Sequence, residues 1–102
     1  DFTYIDDIVD AVVLAIESPI LEKYKIYNVG SGKSIKLLYF VELLEKEFGI
    51  EAKKELCSLQ DCDMIKTMAD ILMISEDLGY SPNITVEEGV HRFVKWYKEF
   101  KL

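Results

Sequence analysis

The apolar positions near the start of the chain repeat with the period of an α-helix. Counted from Ile5, five branched residues fall 3, 4, 7, 8 and 11 positions further on, namely Ile8, Val9, Val12, Val13 and Ile16. This spacing places them on one helical face. Asp6 or Asp7 is expected to cap the helix start, where free N–H groups favour a carboxylate. Ser18-Pro19 is expected to end it, because the residue before a proline leaves the helical conformation.

Three further helices are predicted from apolar faces or from start and stop signals. A second helix is predicted over about residues 37–48, with Gly49 as its left-handed stop, and a short third helix over residues 71–78, with Asp70 as cap and Gly79 as stop. The last helix follows Thr85, which forms a capping-box pattern with the acidic residues after it. Its predicted apolar face consists of Val86, Val90, Phe93, Val94 and Tyr97.

Two segments predict short strands. Residues 24–29 are β-branched and aromatic and lead into the turn Gly30-Ser31-Gly32, and residues 51–56 alternate charged with apolar positions. Between the second strand and the third helix, residues 57–67 show neither period and predict a loop. The expected fold is therefore a small α+β region with about four helices and two or three short strands.

Composition narrows the class of protein. The length of 102 residues indicates one domain over residues 1–102. The formal charge of −7 disfavours nucleic acid as a partner. Its longest apolar run, residues 11–16, is far too short to span a membrane. Cys57 and Cys62 match neither a disulfide framework nor a zinc motif, so a reducing cytoplasm is expected. Because the chain opens on Asp1 and has no Met before Met64, we expect a piece of a longer protein.

Most candidate chemical motifs have a simpler structural explanation. The Gly-Lys-Ser at 32–34 resembles the end of a phosphate-binding P-loop, but Tyr27 occupies the position of the first required glycine, so a plain turn is favoured. His91 is expected on a solvated helix face. Asp6, Asp7 and Asp10 suggest helix capping and a polar surface more than a metal site. No metal-ligating set is predicted.

The loop around residues 60–70 is the strongest candidate site. Asp63 and Thr67 each carry an oxygen that can hydrogen-bond a sugar hydroxyl, and loops held between rigid elements often carry ligand contacts. From spacing alone, an ordinary surface loop is an equal alternative.

Five short motifs in register resemble nucleotide-sugar epimerases. They are DFTYIDDI at 1–8, YNVG at 27–30, TMAD at 67–70, DLGYSP at 77–82, and VEEGV at 86–90 followed by FVKWY at 93–97. The chain looks like the C-terminal part of an extended short-chain dehydrogenase/reductase. It is most similar to UDP-glucuronate 4-epimerases of bacterial capsule and lipopolysaccharide pathways.

The resemblance implies an NAD-dependent enzyme. In this family a Rossmann domain binds NAD and carries a Tyr-x-x-x-Lys pair, while the C-terminal region closes over the nucleotide-sugar. The implied reaction oxidises C4 of the sugar, lets the keto sugar rotate, and returns the hydride to its other face. The glycine motif of the Rossmann domain does not follow an opening strand here, and no Tyr-x-x-x-Lys pair lies where the family places it. This chain is therefore expected to be inactive by itself, and the full-length enzyme to be a cytoplasmic homodimer with no membrane or nucleic-acid partner.

The resemblance also assigns three substrate-binding residues. Asp63 matches an Asp that approaches the nucleotide ribose, and Thr67 matches a position that contacts the nucleotide. Gln60 stands where many relatives have an Arg that grips the diphosphate, so its contact is expected to be weaker. Cys62 replaces a common Gly. The open alternatives are a nucleotide-sugar dehydratase or decarboxylase of the same superfamily and a stand-alone binding module.

Overall fold

Four helices joined by extended segments make up the fold in the part of the chain that the structure describes. The computed structural model describes residues 1–19 and 23–100. The helices are α1 (Ile5–Glu17), α2 (Leu37–Phe48), α3 (Leu72–Leu78) and α4 (Val86–Phe100). All four lie where the apolar period predicts them. No helix in these two ranges is both long enough and apolar enough to cross a membrane.

Most helix ends follow the predicted signals. Gly49 and Gly79 close α2 and α3 in the left-handed conformation, with φ of 70° and 72°. At the start of α4 the backbone N–H of Glu88 donates to the hydroxyl of Thr85 at 3.2 Å, as the capping pattern predicts. The predicted carboxylate cap of α1 is wrong. Tyr4 occupies the cap position without a side-chain hydrogen bond, and the nearby Asp7 serves another purpose described below.

The predicted strands are wrong. Residues 24–29 and 51–56 run without helix or strand pairing in the described ranges. A strand needs a neighbouring backbone to pair with its N–H and C=O groups, and no described segment supplies one. Instead of pairing as a strand, this segment contributes Tyr27 and Val29 to the core. Both pack against the cluster formed by Ala11, Ile74 and Tyr80. The described part of the chain therefore has the helices of the expected α+β region but none of its strands.

The buried core is small and divided. One part is the cluster of Ala11, Ile74 and Tyr80 between α1 and α3. The other lies where α4 buries Val90 and Val94 on the side that faces α2 and the first residues of the chain. These two parts leave much of the apolar surface uncovered.

Helix α1 exposes the apolar stripe that its sequence predicts. Its buried residues are Asp7 and Ala11, whereas Ile5, Val9, Val12, Val13 and Ile16 are 42 to 77% exposed. At 100° per residue the two sets fall on opposite sides of the helix. The molecule is also elongated, with a radius of gyration of 16.6 Å, against about 13 Å for a compact domain of this length.

Candidate functional site

The side chain of Asp1 joins three segments that are distant in sequence. Its Oδ1 accepts hydrogen bonds from the backbone N–H of Ser31 (3.1 Å), the hydroxyl of Ser31 (2.8 Å) and the hydroxyl of Thr3 (2.8 Å). Its Oδ2 accepts from the backbone N–H groups of Gly32 (3.0 Å) and Ala69 (3.1 Å). Hydrogen bonds to an ionised carboxylate are among the stronger ones in proteins. We call this arrangement the Asp1 junction.

The glycine-rich turn forms one wall of the Asp1 junction. Its N–H groups at Ser31 and Gly32 converge on an anion, as they do in phosphate-binding loops, but the anion is the carboxylate of Asp1. Gly30 allows the close approach, since a Cβ there would lie 2.6 Å from the Cβ of Ala69. The structure thus agrees with the interpretation of this segment as a turn.

The predicted site residues lie on an exposed loop that is anchored at both ends. Every residue from 49 to 68 is exposed. At the near end Glu45 of α2 accepts from the backbone N–H of Ala52 at 3.2 Å and pairs with Lys54. The pairing lowers the pKa of the Glu45 carboxyl and raises the pKa of the Lys54 ammonium. At the far end the backbone nitrogen of Asp1 donates to the carbonyl oxygen of Thr67 at 3.0 Å. We call residues 55–66 between these anchors the exposed loop.

Two of the three predicted binding residues meet in a turn. The N–H of Asp63 donates to the carbonyl oxygen of Gln60 at 3.0 Å, and the N–H of Gln60 lies 3.4 Å from Oδ2 of Asp63. Thr67 belongs to the far anchor instead, where its hydroxyl accepts from the terminal amino group of Asp1 at 2.8 Å. The Thr67 hydroxyl keeps its proton for another acceptor. No hydrogen bond joins Thr67 to the Gln60–Asp63 turn in the described ranges.

Comparison with known proteins reveals close relatives along the whole chain. No protein-family model matches it. An uncharacterised protein of Methanocaldococcus jannaschii is 45% identical over 101 residues, which are 99% of this chain and 30% of that protein. The UDP-glucuronate 4-epimerase of Thermodesulfobacterium geofontis is 39% identical over 100 residues, which are 97% of this chain and 30% of the enzyme.

A solved structure shows the same fold. The crystal structure of UDP-glucuronic acid 4-epimerase from Bacillus cereus, in complex with UDP-glucuronic acid and NAD, superposes with a TM-score of 0.87 at 30% identity. The match covers 97% of this chain and 32% of that one. The chain is similar to the C-terminal part of nucleotide-sugar epimerases. The resemblance stated from the motifs is confirmed, and the chain spans about a third of the length of the curated relatives it matches.

Sequence reasoning missed the two carboxylates that organise this epimerase-like region. Asp1 was seen only as the first residue of a motif, and Asp7 only as a possible cap. Asp7 is 1% exposed and accepts hydrogen bonds from the backbone N–H groups of Asn83 (2.9 Å) and Ile84 (3.1 Å). Burial, and then the charges of Asp7 and Asp10, raise the pKa of Tyr80. No local spacing signals these roles, because their partners lie 30 to 77 residues away.

Proposed function

We propose that this chain is the nucleotide-sugar-binding portion of an NAD-dependent epimerase that acts at C4 of a UDP-hexuronate or UDP-hexose, with UDP-glucuronate as the first candidate. One observation carries the proposal. Nearly the whole chain shares its fold, at 30% sequence identity, with an epimerase crystallised with UDP-glucuronic acid and NAD. The T. geofontis relative supports the same substrate class.

In this proposal the exposed loop supplies the polar contacts to the nucleotide. Asp63 accepts hydrogen bonds from ribose hydroxyls, and its ionised carboxylate makes these bonds stronger than neutral ones. Gln60 reaches the diphosphate with an amide N–H, which holds an anion less firmly than the forked guanidinium of Arg. The hydroxyl of Thr67 donates to a nucleotide oxygen. The turn that joins Gln60 to Asp63 brings the two residues close together in the middle of the loop.

The cofactor binds outside this chain in the proposed enzyme. The glycine-rich turn at 30–32 does not fit NAD, because the carboxylate of Asp1 already occupies the N–H groups that would receive a phosphate. NAD supplies reversible hydride acceptance at C4 of the sugar. Our proposal gives this chain the task of holding and orienting the nucleotide, so the chain is inactive by itself.

The exposed stripe of α1 supports the proposal that residues 1–102 are one C-terminal substrate-binding domain of a larger enzyme. A helix with apolar or buried residues on both sides normally lies between two layers of structure. The match covers only 30% of each relative, so more than two thirds of such a protein lies outside the matched region and is available to form the second layer. We assign the stripe to that portion. The full-length enzyme is proposed to be a cytoplasmic homodimer, and the free thiols of Cys57 and Cys62 suit a reducing compartment.

The experiment uses the natural protein that contains this chain. We expect its intact mass to be about three times 11.8 kDa. With NAD, it should convert UDP-glucuronate to its C4 epimer. An Asp63→Asn variant should raise KM roughly tenfold, because a charged hydrogen-bond acceptor is lost. Glu55→Gln, an exposed neutralisation on the same loop, is the control.

The remaining outcomes separate the alternatives. Loss of water or carbon dioxide from the sugar would identify a dehydratase or decarboxylase. A mass near 11.8 kDa without activity would indicate a stand-alone binding module.

A further inference from the structure

Three chain segments converge on the carboxylate of Asp1. The glycine-rich turn lies 30 and 31 residues further along the chain, and the far anchor of the exposed loop lies 66 to 68 residues away. The segment that begins at Asp1 is itself held in place, since Thr3 donates to the same carboxylate at 2.8 Å. The far end of the exposed loop is therefore held by one residue on another segment, whose carboxylate accepts from Ala69 and whose amino nitrogen donates to Thr67.

We propose that Asp1 is the positioning residue that holds the exposed loop in its nucleotide-binding conformation. The inference rests on the proposed function, because it gives the loop the task of binding the UDP moiety. Asp1 acts through Thr67 and Ala69 on the residues that precede them, and it makes no contact with the sugar itself. The structure supplies two reasons for this role.

The first reason is that the exposed loop has little packing of its own. All twelve of its residues, 55–66, are exposed, including the large apolar side chains of Leu56 and Ile65. Such a segment loses backbone conformational entropy at each residue that becomes ordered. Anchors at both ends restrict the segment before a ligand arrives, and preorganisation of this kind raises affinity.

The second reason is the chemistry of the Asp1 junction. Both carboxylate oxygens accept from backbone N–H groups, and the Oδ2 atom is shared between Gly32 and Ala69. An Asn side chain would have to turn an NH2 group toward one set of these donors, which breaks the link on that side. The Oδ2 oxygen links Gly32 of the turn to Ala69 of the loop anchor, and the Oδ1 oxygen holds Ser31 of the same turn.

The test is a kinetic and hydrogen-exchange comparison in the natural full-length protein. Asp1→Asn should raise KM for UDP-glucuronate roughly tenfold and leave kcat within about twofold, because binding weakens while the reacting groups lie elsewhere. Amide exchange should rise together in the segments 30–32 and 67–69. Asp10→Asn removes the same charge from the exposed side of α1 and should change neither quantity.

A second variant with a smaller change tests the same inference in case Asp1→Asn fails to fold. Ser31→Ala deletes one hydroxyl donor to the carboxylate and the contacts of that hydroxyl with Lys33 in the same turn, so it should keep the fold and raise KM by about threefold. A KM unchanged in both variants, despite faster exchange at 67–69, would overturn the inference. A loss of kcat at constant KM would also overturn it, since that pattern indicates a smaller folded fraction.

The same experiment also tests the proposed function. If the wild-type protein neither binds nor converts UDP-glucuronate or UDP-glucose, the proposed function is wrong and the role of Asp1 in nucleotide binding falls with it. If the wild type is active and the variants behave like Asp10→Asn, only the role of Asp1 is wrong.

Discussion

Asp7 shows how a single buried carboxylate can connect two parts of this molecule. It lies in the first turn of α1, is 1% exposed, and accepts backbone hydrogen bonds from the segment just before α4. Its neighbour Asp6 is exposed and pairs with Arg92 at 3.2 Å. The same residue type therefore has two different energetic roles at consecutive positions.

A pair of matched substitutions tests this difference. Asp7→Asn should lower the free energy of unfolding by about 1 to 3 kcal/mol, because one backbone N–H loses its acceptor in a buried place. Asp6→Asn should change it by less than about 1 kcal/mol, as expected for an exposed ion pair. Urea denaturation of the natural protein measures both values. Equal losses in the two variants would contradict the role assigned to Asp7.

At the scale of elements, α2 and α4 form the one helix pair with extensive direct contact in the described ranges. The ring of Phe48 meets that of Tyr97 edge to face, with centroids 5.5 Å apart. The hydroxyl of Tyr39 donates to the Glu87 carboxylate at 2.6 Å, and this hydrogen bond lowers the pKa of Glu87. Arg92 lowers the pKa of Glu88 in the same way.

These lowered pKa values predict that the stability of the protein depends on pH. A carboxyl group whose pKa is lower in the folded state contributes stability above its ordinary pKa of about 4.3 and loses it as pH falls through the folded value. Unfolding midpoints of the natural protein should therefore be constant near pH 7 and should fall below about pH 5. Glu87→Gln should lower the midpoint at pH 7 and match the wild type at the acid end. A variant with the full acid dependence of the wild type would show that Glu87 does not contribute.

At the scale of the whole molecule, the exposed apolar surface is the dominant feature. The stripe of α1 meets the aromatic face of α4 at a cleft of about 290 Å³ lined by Tyr4, Ile5, Phe93 and Trp96. Contiguous apolar patches of this kind mark interaction surfaces. Our assignment of the stripe to the rest of a longer enzyme gives it a partner within the same protein.

A substitution in the stripe should act in opposite directions in two forms of the protein. We expect the 102-residue chain to self-associate through the exposed apolar surface, and Val12→Lys should reduce this association because it interrupts that surface. The same change should destabilise the natural full-length protein by at least about 2 kcal/mol, because there the lysine would be buried. Glu17→Lys at the end of α1 serves as control. Sedimentation velocity and urea denaturation measure the two effects, and a full-length protein that tolerates Val12→Lys would contradict the assignment.

The helices and the site differ in how far they can be predicted from sequence. The period of apolar residues, Gly49, Gly79 and Thr85 predict the helices well, since helical hydrogen bonds join residues four positions apart. The segment 24–29 has strand composition but no pairing neighbour among the residues that the structure describes. The absence of periodicity predicts the exposed loop, while Gln60, Asp63 and Thr67 come from the resemblance alone and stay predictions as binding residues.

The sequence by itself determined the four described helices, the ends of the first three and the likeness to nucleotide-sugar epimerases, because each depends on short motifs and local hydrogen bonds. Only the tertiary structure decided which side of α1 is buried and what Asp1 and Asp7 hold together. These features depend on contacts between segments 30 to 77 residues apart. Such contacts form when loops close and surfaces pack, and neither process leaves a periodic signal in the chain.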